Sequence, residues 1–326
     1  MRPPPFLAGV GLLTIAGCDF GGPSDSAATE EILFEVPKGA TARGLAEPLA
    51  EVGLVRSAWR WSWWVRLRAD GSCIKAGRHR LTASMDAPTL LAALCGPPVP
   101  EDVPFTVVEG WRIREIDAAL AAKGWSAPGA YLAAATHPET FHATFLLPPN
   151  TLEGYLYPET YMVSPDRFDP HVFIQRQLDT FAARFYNVDG KALARPLHDV
   201  VIMASMIERE EPSPANRPLV AGILWKRLDA GWNLGVDATS RYTLEDWNDR
   251  GAFMKRLYDA DDPWNTRLRG GLPSTPIGNP GVVALRASAA PEESAYWYYL
   301  HDAAQQIHPS RTREEHEAYR RKYDVY

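Results

Sequence analysis

The chain has 326 residues, 46% of them hydrophobic and 23% charged, with a formal net charge of −6 and a pI near 5.8. That is globular composition, with length for about two domains. The acidic balance and the absence of any Lys/Arg run argue against a nucleic-acid partner, which needs a basic face.

The first element is a targeting segment. After Arg2 and a proline run comes FLAGVGLLTIAGC, apolar for about a dozen residues. It is too short to span a bilayer, which takes about 20, and fits the apolar stretch of a signal peptide. Its end, Ile15-Ala16-Gly17-Cys18, resembles a bacterial lipobox. Residues 1–18 are therefore expected to be a lipoprotein signal, with Cys18 carrying the lipid; a plain secretory signal is the alternative. Asp19 follows, an acid that resembles an inner-membrane retention signal. Residues 19–31 are small, polar and Gly/Pro/Ser-rich, and predict a flexible tether.

An internal repeat comes next. FEVPKGATARGLAEPLAEVGL begins at Phe34 and FTVVEGWRIREIDAALAAKGW at Phe105. At one constant offset Phe34 matches Phe105, Val36 matches Val107, Gly39 matches Gly110, Leu49 matches Leu120 and Gly53 matches Gly124. Each copy reads as a strand, a glycine turn, and a helix closed by glycine. Such units resemble the LysM fold, which implies binding of N-acetyl-sugar chains. A LysM-like region is expected over 32–100, followed by an α+β catalytic domain over 101–326 that includes the second copy near 104–126. Between the copies, WRWSWWVRLR predicts an amphipathic helix, AGRHRL a strand and DAPTLLAAL a helix. Cys73 and Cys95 remain after Cys18, and in an exported chain such a pair can form a disulfide or stay as two buried thiols.

LEGYLYPETY, Leu152 to Tyr161, follows. Read as extended chain, it places Glu153, Tyr155, Tyr157, Glu159 and Tyr161 on one face. Pro158 makes it an edge or an irregular wall. PHVFIQRQLDTFAARF, DVVIMASMI and PLVAGILWKRL then predict helices. The remainder reads as loops, except a strand at AYWYYLH and a charged helix at TREEHEAYRRKY. Strands and helices are segregated, so the class is α+β.

Chemical motifs are few. There is no GxSxG elbow, phosphate loop, HExxH or Cys/His metal spacing, so no metal or cofactor is expected. His137 and His142 are five apart, a poor ligand spacing on a helix. Glu208 stands where the apolar run from Val200 to Ile207 meets a charged turn. A carboxyl there is either a solvated helix end beside Arg209, Glu210 and Glu211, or a desolvated acid with raised pKa, as general acid catalysis requires.

LEGYLYPETY, ASMIERE, LGVDAT, WNTR, GLPSTPIGNPG, ALRASAAP and AYWYYLHD occur in that order. Together they resemble the bacterial endolytic murein transglycosylase family, also called YceG-like or MltG-like, over about Phe34 to Tyr326. The resemblance implies a lyase acting on peptidoglycan glycan strands. It would cleave the MurNAc-β-1,4-GlcNAc bond and leave 1,6-anhydro ends. Glu208 matches the family's catalytic glutamate and Glu210 the second acid of that motif. Asp237 matches an Asp-Pro-Thr aspartate, with Ala238 in place of the proline. Asn265 matches a Tyr-Asn-Thr-Tyr asparagine, with Trp264 and Arg267 in place of the tyrosines. Glu208 is then expected to act alone as acid and base, with Asp237 and Asn265 in support and Glu210 tuning the site. Glu153, Tyr155 and Tyr161 are expected to line the glycan cleft. A non-catalytic peptidoglycan-binding lipoprotein, and a muramidase pairing Glu208 with Glu153 or Asp237, are the rivals. The resemblance also implies work beside peptidoglycan synthases, on a membrane facing the periplasm or cell wall.

Overall fold

The structure, a computed structural model, describes residues 21–68, 71–100 and 102–324. Cys18 and its signal lie outside these. The chain forms two compact units, one through Glu101 and one from Asp102.

In the first unit, β1 (Glu31–Val36) pairs antiparallel with β2 (Gly77–Thr82), Glu31 opposite Thr82 and Val36 opposite Gly77. Helices α1 (Ala46–Glu51) and α2 (Ala58–Arg68) lie between the strands in sequence, and α3 (Ala87–Cys95) follows. Alternation along β1 turns Phe34 and Val36 inward, where they meet Leu49, Leu54, Trp61, Leu81, Leu90 and Leu94. Asp86 caps α3 by accepting from Thr89 N at 2.9 Å, replacing a bond that the first turn cannot make for itself. Cys73 and Cys95 form a disulfide that ties the loop before β2 to the end of α3.

Over residues 21–25 the expected flexible tether is hydrogen-bonded to the unit. Gly21 O accepts from Ala87 N, Pro23 O from the Arg56 side chain, and Asp25 N donates to Ala83 O. Gly21 fits closely against Trp64, where a methyl would sit 3.0 Å from Nε1.

The second unit holds β3 (Val103–Thr106) and β4 (Thr160–Val163), an antiparallel pair, and helices α4 (Ile113–Ala122), α5 (Ala130–Ala135), α6 (Pro170–Phe181), α7 (Leu197–Glu210), α8 (Arg217–Asp229), α9 (Arg250–Leu257), α10 (Val282–Ala289) and α11 (Arg313–Tyr323). The apolar run Val200 to Ile207 makes α7 buried on every side, and α8 and α10 pack on it. The fold is mixed α+β. AYWYYLH does not form a strand: Tyr298 and His301 make single bridges to Ser310 and Ile307.

Both repeat copies keep their glycine geometry. Gly39 and Gly110 stand at φ +78° and +79°, Gly53 and Gly124 at +74° and +70°, a region costly for a residue with a Cβ.

Candidate active site

Glu208 lies in the last turn of α7. Its side chain is only 5% exposed. Arg217, the first residue of α8, grips the carboxyl with both terminal guanidinium nitrogens, Nη2 at 2.6 Å and Nη1 at 3.2 Å. The turn between the helices sets this up. Glu211 accepts from Ser213 N through its side chain and from Arg217 Nε through its carbonyl. That folds α8 back over the end of α7. On the other side Gly281 N, which begins α10, donates to Glu208 Oε2 at 3.0 Å.

Two opposed effects act on this carboxyl. Burial favours the neutral acid, while Arg217 and the Gly281 N–H favour the carboxylate; burial prevails and the pKa is raised. Glu109 adds to the rise. Its carboxylate lies so close to Gly281 that a methyl there would sit 2.0 Å from Glu109 Oε1. Sequence reasoning did not single Glu109 out; its one trace is that it stands opposite Lys38 in the aligned repeat. Arg209 completes this side: it donates to Gly110 O at 2.6 Å and stacks on Trp247, 4.0 Å from the ring centre.

Asn279 organises the floor, and it too went unmarked although GLPSTPIGNPG contains it. Its Oδ1 accepts from Gly154 N and Leu156 N, both at 2.9 Å. Its Nδ2 donates to Trp111 O and Glu153. Gly110 N donates to Asn279 O, and Asn279 N to Trp111 O. Ser205 Oγ accepts from Ile277 N at 3.0 Å. Three stretches far apart in the chain, 110–111, 153–156 and Ser205, are therefore tied to the 277–281 loop, which also supplies Gly281 N to Glu208.

The wall of acids and tyrosines does not exist as expected. Gly154, at φ +90°, turns the chain, so strict alternation fails and the side chains point inward. Glu153 is 2% exposed; it accepts from Ile113 N at 3.1 Å and from the Tyr242 hydroxyl at 3.1 Å. Burial pushes its pKa up to about 8. Tyr155 stacks on Phe145, packs at a tilt against Phe181 and bonds His198. Tyr161 packs edge-on to Phe173 and donates to Tyr157 O. All three are core residues and cannot line a cleft.

Glu210 is two residues from Glu208, about 200° around the helix, and faces elsewhere. It accepts from the Tyr299 hydroxyl at 3.2 Å, and burial raises its pKa, with Asp237 adding to the rise. Asp237 is half exposed and paired with Arg267. Asn265 is fully buried. Its Nδ2 donates to Arg256 O, Leu257 O and Asp259 O, and its Oδ1 accepts from Arg267 N and Leu268 N. Every polar atom of that side chain is used in shaping its own loop, so none reaches a substrate. Aromatic surface next to the site comes instead from Trp247 and Trp264, both half-buried. Trp264 donates to Thr275 at 3.0 Å and packs on Tyr242.

A family model described as the YceG-like family matches residues 34–322. An endolytic murein transglycosylase of Bacillus subtilis is 25% identical over 319 residues, covering 92% of this chain and 86% of the relative. One from Streptococcus pneumoniae is 22% identical and covers 90% of this chain, which spans 59% of that longer relative. Among solved structures, a yceG-like protein from Listeria monocytogenes matches with a TM-score of 0.58 at 24% identity, covering 89% of this chain and 99% of that one; this likeness concerns the fold.

Proposed function

The chain belongs to the YceG-like family, and from that premise we propose that it is an endolytic peptidoglycan lytic transglycosylase, a lyase. The observation that carries this is the Glu208 carboxyl, buried and raised in pKa yet held by Arg217 and the Gly281 N–H. A lytic mechanism needs one group in both protonation states. Burial favours the acid that starts the reaction, and the two donors stabilise the carboxylate left halfway.

Protonated Glu208 gives its proton to the glycosidic oxygen as the bond from C1 of N-acetylmuramic acid breaks. The N-acetylglucosamine part leaves as an alcohol. The Glu208 carboxylate then takes the proton from the muramic C6 hydroxyl, whose oxygen closes on C1. The 1,6-anhydro ring forms, Glu208 is protonated again, and no water is consumed. Trp264, half-buried, offers aromatic surface for a sugar ring. Glu109 faces the cation-like transition state with negative charge.

A hydrolase pairing Glu208 with Glu153 or Asp237 is weakly supported, since Glu153 is sealed inside and Asp237 is bound to Arg267. We further propose that the first unit is a LysM-like holder of glycan strands, and that Cys18 is lipidated, placing the protein on a membrane facing the wall. Digestion of purified sacculi tests the reaction: mass spectrometry should find new anhydro-muropeptide ends. New reducing ends would make it a hydrolase, and no release at all a binding protein.

A further inference from the structure

Helix α2 is apolar on two faces. Trp61 and Val65 point into the first unit's core, which accounts for one face. On the other, Trp59, Trp63 and Leu67 recur every four residues and so form one stripe. They are 60%, 41% and 71% exposed. Arg60 and Arg66 border this stripe on its two sides, and α2 carries no acid. Arg66 also lies over the Trp63 ring at 5.7 Å.

The chain enters the first unit at this helix. A methyl on Gly21 would sit 3.0 Å from Trp64 Nε1, and Gly21 O is held by Ala87 N. Cys18 is three residues earlier, a reach of at most about 11 Å. A lipid carried by Cys18 would therefore start beside α2.

From these two observations we infer that the Trp59–Trp63–Leu67 face of α2 docks on a lipid surface, indoles at the level of the headgroups and arginines on anionic phosphates. Indole rings prefer this interface and arginine forks fit phosphate oxygens. An anchor alone would leave the first unit to rotate about its attachment; a second, adjacent contact fixes its orientation. The inference goes beyond the transglycosylase reading and shares with it only the membrane placement.

The test uses the full chain mixed with phosphatidylcholine vesicles, with or without phosphatidylglycerol, whose acyl chains are brominated to quench nearby indoles. Flotation reads attachment separately. Emission should drop in floated wild type, more so with phosphatidylglycerol. The drop should shrink by about half or more in Trp59→Phe/Trp63→Phe, where phenylalanine keeps the apolar contact and removes the reporters. Arg60→Gln/Arg66→Gln should abolish the phosphatidylglycerol dependence. Equal quenching of wild type and the Phe variant, in chains that float, would overturn α2 docking while leaving the anchor standing. A chain that does not float overturns both. Emission that responds to soluble chitooligosaccharide and not to brominated lipid would make this a sugar-binding face and overturn the inference.

Discussion

The two strand–turn–helix copies share a backbone and differ in what surrounds them. In the first, Gly39 has no atom within 4 Å of where a methyl would be, and Lys38 precedes it on the surface. In the second, a methyl on Gly110 would sit 3.2 Å from Arg209 Nε and 3.5 Å from Glu208 Cγ, and Glu109 precedes it. Arg209 and Asn279 hold that turn through its backbone. One turn is a surface feature; the other is a wall of the candidate site, with its neighbouring charge reversed. Duplication of sequence thus preserves the local conformation, which φ demands, while tertiary contacts assign the chemistry.

Breaking the chemistry at its centre gives the largest expected effect. Glu208→Gln keeps the volume but has no proton to give near neutral pH. General acid–base catalysis is worth about 10²–10⁴-fold, so anhydro-muropeptide release should fall at least about 100-fold. Melting should drop as well, because Arg217 loses its counter-charge in a buried setting. A folded variant keeping more than a tenth of the activity would remove Glu208 from its role.

Arg217→Lys sharpens the same point. Arg217 is the largest influence holding the Glu208 pKa down. A lysine cannot grip both oxygens, so the acid form should persist to higher pH. The alkaline limb of the rate profile should move upward and turnover should fall about tenfold, as expected of a misplaced acid. An unmoved limb would deny Arg217 this part.

The first copy's unit is stapled where the second is not. Removing the Cys73–Cys95 bridge, which closes a separation of 22 residues, should cost about 3 kcal/mol in that unit's stability. Calorimetry of Cys73→Ala/Cys95→Ala should show one transition moved down and the other in place. If both move together, the two units do not melt separately.

How much of this was legible depends on what kind of fact the sequence encodes. Gly39 and Gly110, Pro218 at the start of α8 and the apolar run of α7 carry local conformation, and their elements follow. Glu208 was legible as a motif, and local sequence left its burial open; only the fold brings Arg217 and Gly281 to it. Glu153, Tyr155 and Tyr161 misled because alternation assumes an extended chain, and Gly154 bends it. Asn265 misled because a matching letter does not say where an amide points. Glu109 had a faint trace: it opposes Lys38 in the aligned repeat, a charge reversal at a turn otherwise kept. Asn279 stood inside the GLPSTPIGNPG block, but its role lies in the groups of other blocks that it bonds, which a motif does not show.

Glu153 offers a pH test of the second unit. Its folded pKa of about 8 exceeds an unfolded value near 4.3. Between the two the folded state binds the extra proton. Stability from this group is complete below the unfolded pKa and is lost as pH rises toward 8, a change on the order of a few kcal/mol. Glu208 and Glu210, also raised, tilt the same way. Glu153→Gln cannot titrate, so its melting temperature should fall less between about pH 5 and 8.5. An equal slope in both proteins would contradict a buried neutral Glu153.

The smallest effect separates the copies most directly. Gly39→Ala and Gly110→Ala both place a Cβ at φ near +78°, which costs about 1 kcal/mol in either setting. At Gly39 nothing else is disturbed, so melting should fall slightly and activity should hold. At Gly110 the methyl meets Arg209 Nε closer than ordinary contact. Arg209 can yield only by leaving Gly110 O or the Trp247 ring, and either movement loosens the wall beside Glu208. The two variants should therefore melt within about 1 kcal/mol of each other, while only Gly110→Ala loses turnover, by about tenfold for a displacement near the reacting groups. Matched losses of activity would mean that the second turn supports the fold alone, and that the contrast between the copies is one of packing and not of chemistry.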